Sequence, residues 1–344
     1  MNHYVLQRIK YAACITLCAS ALLVLTGCGT ALAHKNTDPI QRTDFLLNTF
    51  VDIKIYDSDD TTILDEAIAI CKDYEAQFSR TMETSEIYIM NHRSADEQVF
   101  TLSSNTAELL EKALHYCEIS DGAFDITVEP VSALWDFTSG EAVLPDPGAI
   151  ESAAKSVGYE HLLLEGNVLT FLSPDTTIDL GAIAKGYIAD RIKDHLVESG
   201  VKSAVINLGG NVLCIGKKPN GTPFKIGLQK PFAESSETFA VMGIDDMSVV
   251  TSGVYERHFE IDGRNYHHIL DPKTGYPYDN GLISVTIVSE ESVDGDGLST
   301  TCFSLGLENG LSLIESLDGV YGCFIDEDYN IYYSEGMKEL LIED

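Results

Sequence analysis

Strand-like and helix-like segments follow one another along this chain without a regular strand-helix-strand period, and that order restricts the fold more than any other feature. Thr61 to Ser79 sets Ile63, Leu64, Ala67, Ile68, Cys71, Tyr74 and Phe78 three and four residues apart, the spacing of a helix with one buried face. Further helices are expected from about Asn105 to Cys117, from Asp146-Pro147 to Gly158, from about Ile183 to Ser199 and from about Gly295 to Leu305. Strands are expected from Phe45 to Tyr56, at Val168 to Leu172 and at Val201 to Leu208. Most of Phe224 to Val288 also reads as strand, with turns at Asp262-Gly263 and Thr274-Gly275, and two strands close the chain near Gly319 to Ile325 and Ile331 to Tyr333. There is no internal repeat. The expectation is a single α+β domain with a largely antiparallel sheet and flanking helices.

The first residues belong to processing rather than to the fold. Arg8 and Lys10 give a basic start, Tyr11 to Leu25 is an apolar run, and Leu25-Thr26-Gly27-Cys28 follows. That is the shape of a secretory signal, and it ends in a bacterial lipobox. The run is short for a membrane span of about 20 apolar residues. Residues 1–27 are therefore expected to be a lipoprotein signal peptide, and residues 28–43 a lipidated Cys28 with its linker. Residues 44–344 are expected to form the functional domain, anchored by lipid to the cell membrane on the extracytoplasmic side.

Loss of Arg8 and Lys10 leaves 20 basic against 54 acidic residues, a net charge of about −34. Such a balance argues against nucleic acid, which rewards basic patches. An anionic ligand would need local help from a metal, a lysine or a helix N-terminus. Of eight cysteines, Cys14 and Cys18 leave with the signal and Cys28 takes the lipid. Cys71, Cys117, Cys214, Cys302 and Cys323 remain, widely spaced and odd in number, and read as buried free thiols rather than a disulfide frame or a zinc site.

Five segments carry side chains suited to chemistry. Asp296 and Thr300, four apart on a helix, share one face; they suit a hard cation such as Mg²⁺, or are a capping aspartate beside a buried threonine. Ile178-Asp179-Leu180-Gly181-Ala182-Ile183-Ala184-Lys185 runs from a strand into a helix whose N-terminus favours an anion, or is a plain connection with a surface lysine. Asn207-Leu208-Gly209-Gly210-Asn211 reads as a hairpin turn, with close approach to a nucleotide as the alternative. In Ser120 to Thr127, Phe124 could wall a flat ring and Asp125 could bond a base or sugar edge. In His267-His268-Ile269-Leu270-Asp271-Pro272-Lys273-Thr274-Gly275, His268 could work as acid or base near neutral pH; a histidine pair can equally serve buried backbone carbonyls.

Together these segments resemble the ApbE family, the FAD:protein FMN transferases. The resemblance runs from about Phe45 to Leu307, through Phe78 to Asn91, SDGAFDITVEPVSALWDF, IDLGAIAKGYIAD, INLGGN, HHILDPKTGYP and DGLST in the family's order. It implies a T-fold-like domain that binds FAD and Mg²⁺ outside the membrane. A threonine hydroxyl of an acceptor flavoprotein would attack the FMN-side phosphorus, AMP would leave, and FMN would stay attached as a phosphodiester. By the same resemblance Asp296 and Thr300 match the metal ligands, and Ala182 the residue lending a backbone carbonyl. Ala123, Phe124, Asp125, Asp179, Lys185 and Ile269 match FAD contacts. His268 matches the histidine beside the reacting phosphate, which would activate the acceptor hydroxyl.

Three positions depart from the family pattern. Leu47-Asn48-Thr49 replaces Met-Gly-Thr and Thr81 replaces an aromatic residue, both at FAD-contact positions. Gly297 replaces alanine after the metal aspartate and is expected to loosen the helix slightly. Two other functions use the same residues: an FAD pyrophosphatase, in which water replaces the threonine, and a flavin-binding lipoprotein without turnover.

Overall fold

Alternating burial in Thr49–Ile55, with Val51, Ile53 and Ile55 inward, makes this segment a strand with one face on a core. The structure, a computed structural model, describes residues 38–137, 142–234 and 237–342. The expected signal peptide, Cys28 and the linker up to residue 37 lie outside the described residues. β1 (Ile40–Leu46) pairs with β2 (Thr49–Ile55), so regular structure begins inside the expected linker, where Ile40 faces Ile55. From Pro39 onward the chain is one compact unit.

The elements follow in this order: α1 (Thr61–Phe78), α2 (Glu86–Asn91), β3 (Val99–Thr101), α3 (Ser104–Ile119), α4 (Glu129–Ser132), α5 (Pro147–Ala154), β4 (Leu162–Glu165), β5 (Val168–Phe171) and α6 (Ala184–Glu198). Then come β6 (Ala204–Leu208), β7 (Asn211–Ile215), β8 (Phe224–Gln229), β9 (Thr238–Ile244), β10 (Ser248–Gly253), β11 (His258–Ile261), β12 (Arg264–His267), β13 (Leu282–Ser289), α7 (Ser292–Glu315), β14 (Tyr321–Asp326) and β15 (Ile331–Tyr333). Asp60 and Asp146 cap α1 and α5 by accepting from Thr62 and Ala149 N–H. α5 is shorter than expected, ending at Ala154. α2, α4, β3 and β4 were not expected; at three to six residues they are too short to display a period. α7 runs beyond the expected Leu305 because its two helical stretches meet at a kink, where Gly306 takes φ 78°.

Eight strands form one sheet in the order β1-β2-β6-β7-β10-β13-β14-β15, every pair antiparallel. The expected α+β class with an antiparallel sheet is what the chain forms. One face carries the main core, where Ile63, Leu64 and Ile68 of α1, Ile188 and Ile192 of α6 and Leu298 and Phe303 of α7 join Ile53, Ile206 and Val285. On the other, Phe224, Leu228, Met242 and Ile244 of the β8–β9 hairpin pack with Val249, Val288 and Cys323. Covered from both sides, β13 is buried at every position, its hydroxyl residues Ser284, Thr286 and Ser289 included. The Gly209-Gly210 turn joins β6 to β7, as the hairpin reading expected. All five cysteines of the domain are buried and free. Among the described residues no helix is long and apolar enough to cross a membrane.

Candidate active site at the crossing of two helices

The site is built where α7 crosses the N-terminus of α6. The first N–H groups of a helix have no partner within it. In α6 one of these donors, Gly186 N–H, meets Asp296 Oδ2 at 2.6 Å. Asp296 is 4% exposed and belongs to α7, so it does act as a cap, but for a different helix. A carboxylate there is favoured by the helix dipole. Lys185 Nζ stands 3.7 Å from the same oxygen and donates to the Gly181 carbonyl at 3.4 Å. Thr300, one turn along α7, holds Oγ1 3.1 Å from Ser252 Oγ on β10. The structure thus brings Asp296 and Thr300 to one helix, and Lys185 and the Gly181-Ala182 segment to its side.

The approach of the two helices depends on small residues. A Cβ on Gly186 would lie 2.6 Å from Val293 Cα and press on the Ser292 carbonyl. Asp190, one turn further along α6 and 7% exposed, accepts the N–H groups of Ser292 and Val293, both at 2.8 Å, and so caps α7 in return. Burial pushes its carboxyl up to about 7, against the pull of those two N–H groups. Each helix therefore has a carboxylate from the other at its N-terminus.

Asp179 is fixed before α6 begins. Its N–H donates to the Ile126 carbonyl, and its carboxylate accepts from Gly181 N–H at 2.9 Å and Ser132 Oγ at 3.0 Å, with Arg80 Nε at 3.3 Å. Arg80 also reaches Glu129, which links Asp179 to the loop carrying the exposed Thr81. Ala123 accepts from Tyr278 Oη at 2.8 Å. Phe124 is 3% exposed and packs in the core, so its ring is not the open wall expected for a flat ligand. The Asp125 carboxylate turns to the fold: it accepts from Thr127 N–H, Thr127 Oγ1 and Tyr159 N–H. Leu47 lies in the β1–β2 turn with φ 54°, donating its N–H to Glu75. Ile269 is buried.

The histidine pair divides its work. His267 is structural: Nδ1 accepts from Ile269 N–H at 3.3 Å, so the proton sits on Nε2, which donates to the Tyr278 carbonyl at 3.0 Å. Burial holds its pKa down at about 4. His268 is half-buried, and its Nδ1 is shut off from solvent with no hydrogen-bond partner. Burial first, then the Arg257 and His267 charges, lower its pKa to about 3, and Lys185 adds to this effect. His268 is thus neutral across the physiological range.

Glu256 was not anticipated. It follows β10 in a turn closed by its N–H on the Gly253 carbonyl. Crowding by protein raises its carboxyl to about 7; Lys185 and Arg257 oppose the rise and Asp296 adds to it. Its outer surface is open to water, which moderates the effect. No motif marks Glu256. The one available signal was its position between Thr251 and His268 in a stretch dense with polar groups.

A family model for the ApbE family matches residues 47–325. This chain belongs to the ApbE family. Among its relatives, the FAD:protein FMN transferase of Klebsiella pneumoniae (strain 342) is 37% identical over 85% of this chain and 91% of that protein. The FAD:protein FMN transferase of Treponema pallidum (strain Nichols) is 31% identical over 92% of each. Of solved structures, the ApbE protein of Thermotoga maritima superposes with a TM-score of 0.80 at 32% identity, covering 89% of this chain and 100% of that one. The flavin transferase ApbE of Vibrio cholerae gives 0.78 at 27%, covering 88% and 99%. ApbE membership accounts for the order of the motifs along the chain.

The donor set can be tested against a metal. Among the described residues no three of His, Cys, Asp and Glu gather as a metal cluster. A cation at Asp296 would thus lean on one carboxylate, a hydroxyl, a backbone carbonyl and the oxygens of its substrate. That is a hard, oxygen-only set of the kind Mg²⁺ takes with a pyrophosphate. Asp296 Oδ1 has no protein donor among the described residues, and the Lys185 ammonium already places positive charge beside the carboxylate. The residues present fit the ion.

Proposed function

We propose that this ApbE enzyme is an FAD:protein FMN transferase that moves FMN from FAD to a threonine hydroxyl of a partner protein with the help of Mg²⁺. The observation that carries the reading is the meeting of Asp296, Lys185 and the α6 N-terminus in a strongly acidic chain. Asp296, Thr300 and the Ala182 carbonyl would hold Mg²⁺, which when bound neutralises charge on the pyrophosphate and its leaving group. Lys185 and the α6 N-terminus orient the phosphates. The acceptor oxygen attacks the FMN-side phosphorus and the bond from that phosphorus to the AMP oxygen breaks. AMP departs with the negative charge, and the hydroxyl proton passes to the neutral imidazole of His268. Burial and, after it, nearby cations hold the basicity of His268 down, and an anionic pyrophosphate beside it would offset the cations.

Incubation with FAD, Mg²⁺ and a peptide bearing the acceptor threonine tests the reading. Flavin that stays on the peptide after denaturation supports transfer, whereas free FMN supports a pyrophosphatase and bound FAD without AMP a binding protein. Asp296→Ala is expected to abolish Mg²⁺-dependent AMP release; unchanged release refutes the metal assignment. The membrane tether is part of the same proposal: lipid on Cys28 holds the domain outside the cytoplasmic membrane. Cys28→Ala should then stop incorporation of labelled palmitate, and equal labelling of the variant would refute the anchor.

A further inference from the structure

We infer that Tyr116 is a positioning residue, whose ring, seated in a notch at Gly297, sets where the Asp296 carboxylate stands. The inference rests on the reading of Asp296 as a metal ligand.

Tyr116 lies on α3, 5% exposed, far in sequence from α7. Its ring lies against the α7 backbone: a Cβ on Gly297 would come 2.5 Å from Tyr116 Cδ2 and 2.9 Å from Cζ. Real side chains do not approach so closely, so the notch exists because residue 297 has no side chain. The ring has little room to withdraw, because Phe124, itself buried, meets it edge-on at 6.1 Å. Its hydroxyl donates to Asp294 Oδ1 at 2.7 Å, and Lys112, one turn back on α3, pairs with Glu291 at 2.8 Å. Glu291, Asp294 and Gly297 are spaced by three, so α3 grips α7 along one side.

Asp296 faces away from that grip. Residues 294 and 296 are about 200° apart around a helix, so Asp294 points to Tyr116 while Asp296 points to α6. The ring therefore holds α7 from a flank at Gly297, about 100° round the helix from Asp296, and the 2.6 Å bond to Gly186 N–H shows α7 seated hard against α6. Anything that enlarges residue 297 or empties the notch moves the carboxylate relative to Lys185 and the α6 N-terminus.

Four variants of the full domain test this: Gly297→Ala, Tyr116→Leu, their combination, and Tyr116→Phe. Two quantities are read, the Mg²⁺ dissociation constant in the presence of FAD by calorimetry, and the amide resonance and hydrogen exchange of Gly186 by NMR. Gly297→Ala is expected to weaken Mg²⁺ binding about tenfold, the size of a one-methyl overpacking, and to unprotect the Gly186 amide. Adding Tyr116→Leu should restore both values to those of Tyr116→Leu alone. Tyr116→Phe keeps the ring and should change binding by less than about threefold, the share of one hydrogen bond. Independent effects that simply multiply in the combined variant would overturn the inference. So would a native Gly186 amide and native Mg²⁺ binding in Tyr116→Leu, a result that decides even if Gly297→Ala does not fold. If the wild-type domain binds no Mg²⁺, the metal reading fails, and the Gly186 amide alone decides whether Tyr116 positions Asp296.

Discussion

Gly186→Ala puts the helix crossing to its most direct test. The added methyl would stand 2.6 Å from both the Ser292 carbonyl carbon and Val293 Cα, whereas ordinary contact starts near 3.4 Å. The helices must therefore part by about 0.8 Å. Both obstacles are backbone atoms and cannot rotate away, so the cost belongs at the upper end of overpacking, about 3 kcal/mol. Alanine returns about 1 kcal/mol through its better helix propensity. The net loss is about 2 kcal/mol, or roughly 3 °C in melting temperature for a chain of this size. The same displacement stretches the Gly186–Asp296 bond from 2.6 Å to about 3.4 Å and weakens it, and a shift of about 1 Å at a reacting centre costs about 100-fold in rate. Urea unfolding and Mg²⁺-dependent AMP release from FAD measure the two effects. A variant that melts at or above wild type with unaltered AMP release would refute the argument that this contact sets the site.

Three further outcomes are expected. His267 and His268 have pKa values near 4 and 3, against about 6.5 when unfolded, so the unfolded chain binds more protons between those limits, and stability falls as pH drops below about 6.5. His267→Gln should flatten melting temperature against pH between about 6.5 and 4; an unchanged slope would show that His267 is not held neutral. Leu47 and Asn48 both take positive φ, 54° and 57°, in a two-residue turn. Asn-Gly suits that turn better, and the replacement should stabilise by about 1 kcal/mol, read by urea unfolding. Lys185→Met should lower kcat/KM for FAD by about 100-fold while tightening Mg²⁺ binding to the free enzyme, because the competing ammonium is gone; looser Mg²⁺ binding would contradict the competition.

The long periodic elements were legible because burial on one face repeats over several turns. The apolar spacing of Ile63, Leu64, Ala67 and Ile68 is the face that α1 buries. The alternatives at the site were not separable within the sequence, because they depend on partners more than a hundred residues away. The aspartate of the Asp-x-x-x-Thr pair caps a helix, but the helix begins at Ala184, and no local pattern could reveal that. Asp190 ends the segment matched to the family and yet looks like an ordinary polar helix residue until the N-terminus of α7 arrives beside it. Phe124 and Asp125 were expected to face a ligand; the fold uses one as core and the other to tie a turn. Gly297 was expected only to loosen its helix, and the Tyr116 ring gives it a use.

The charge balance explains why the site takes this form. A chain with 54 acidic and 22 basic residues repels an anionic dinucleotide over most of its surface. Attraction must then be local and partly uncharged, and a helix N-terminus supplies it through oriented N–H groups. Asp296 at that same N-terminus looks counterproductive, since it cancels positive potential where phosphate should bind. On the proposed function a divalent cation would share the place: the carboxylate would recruit it, and cation, Lys185 and helix dipole together would leave the locus positive. In the free enzyme the Lys185 ammonium, 3.7 Å from Asp296 and 3.4 Å from the Gly181 carbonyl, holds part of that charge in reserve. With Mg²⁺ and the substrate phosphates bound, Lys185 would have a better partner than Asp296. One lysine would thus steady Asp296 in the free enzyme and grip the phosphates in the loaded one, which is how an acidic surface could carry an anion-binding centre without a basic patch.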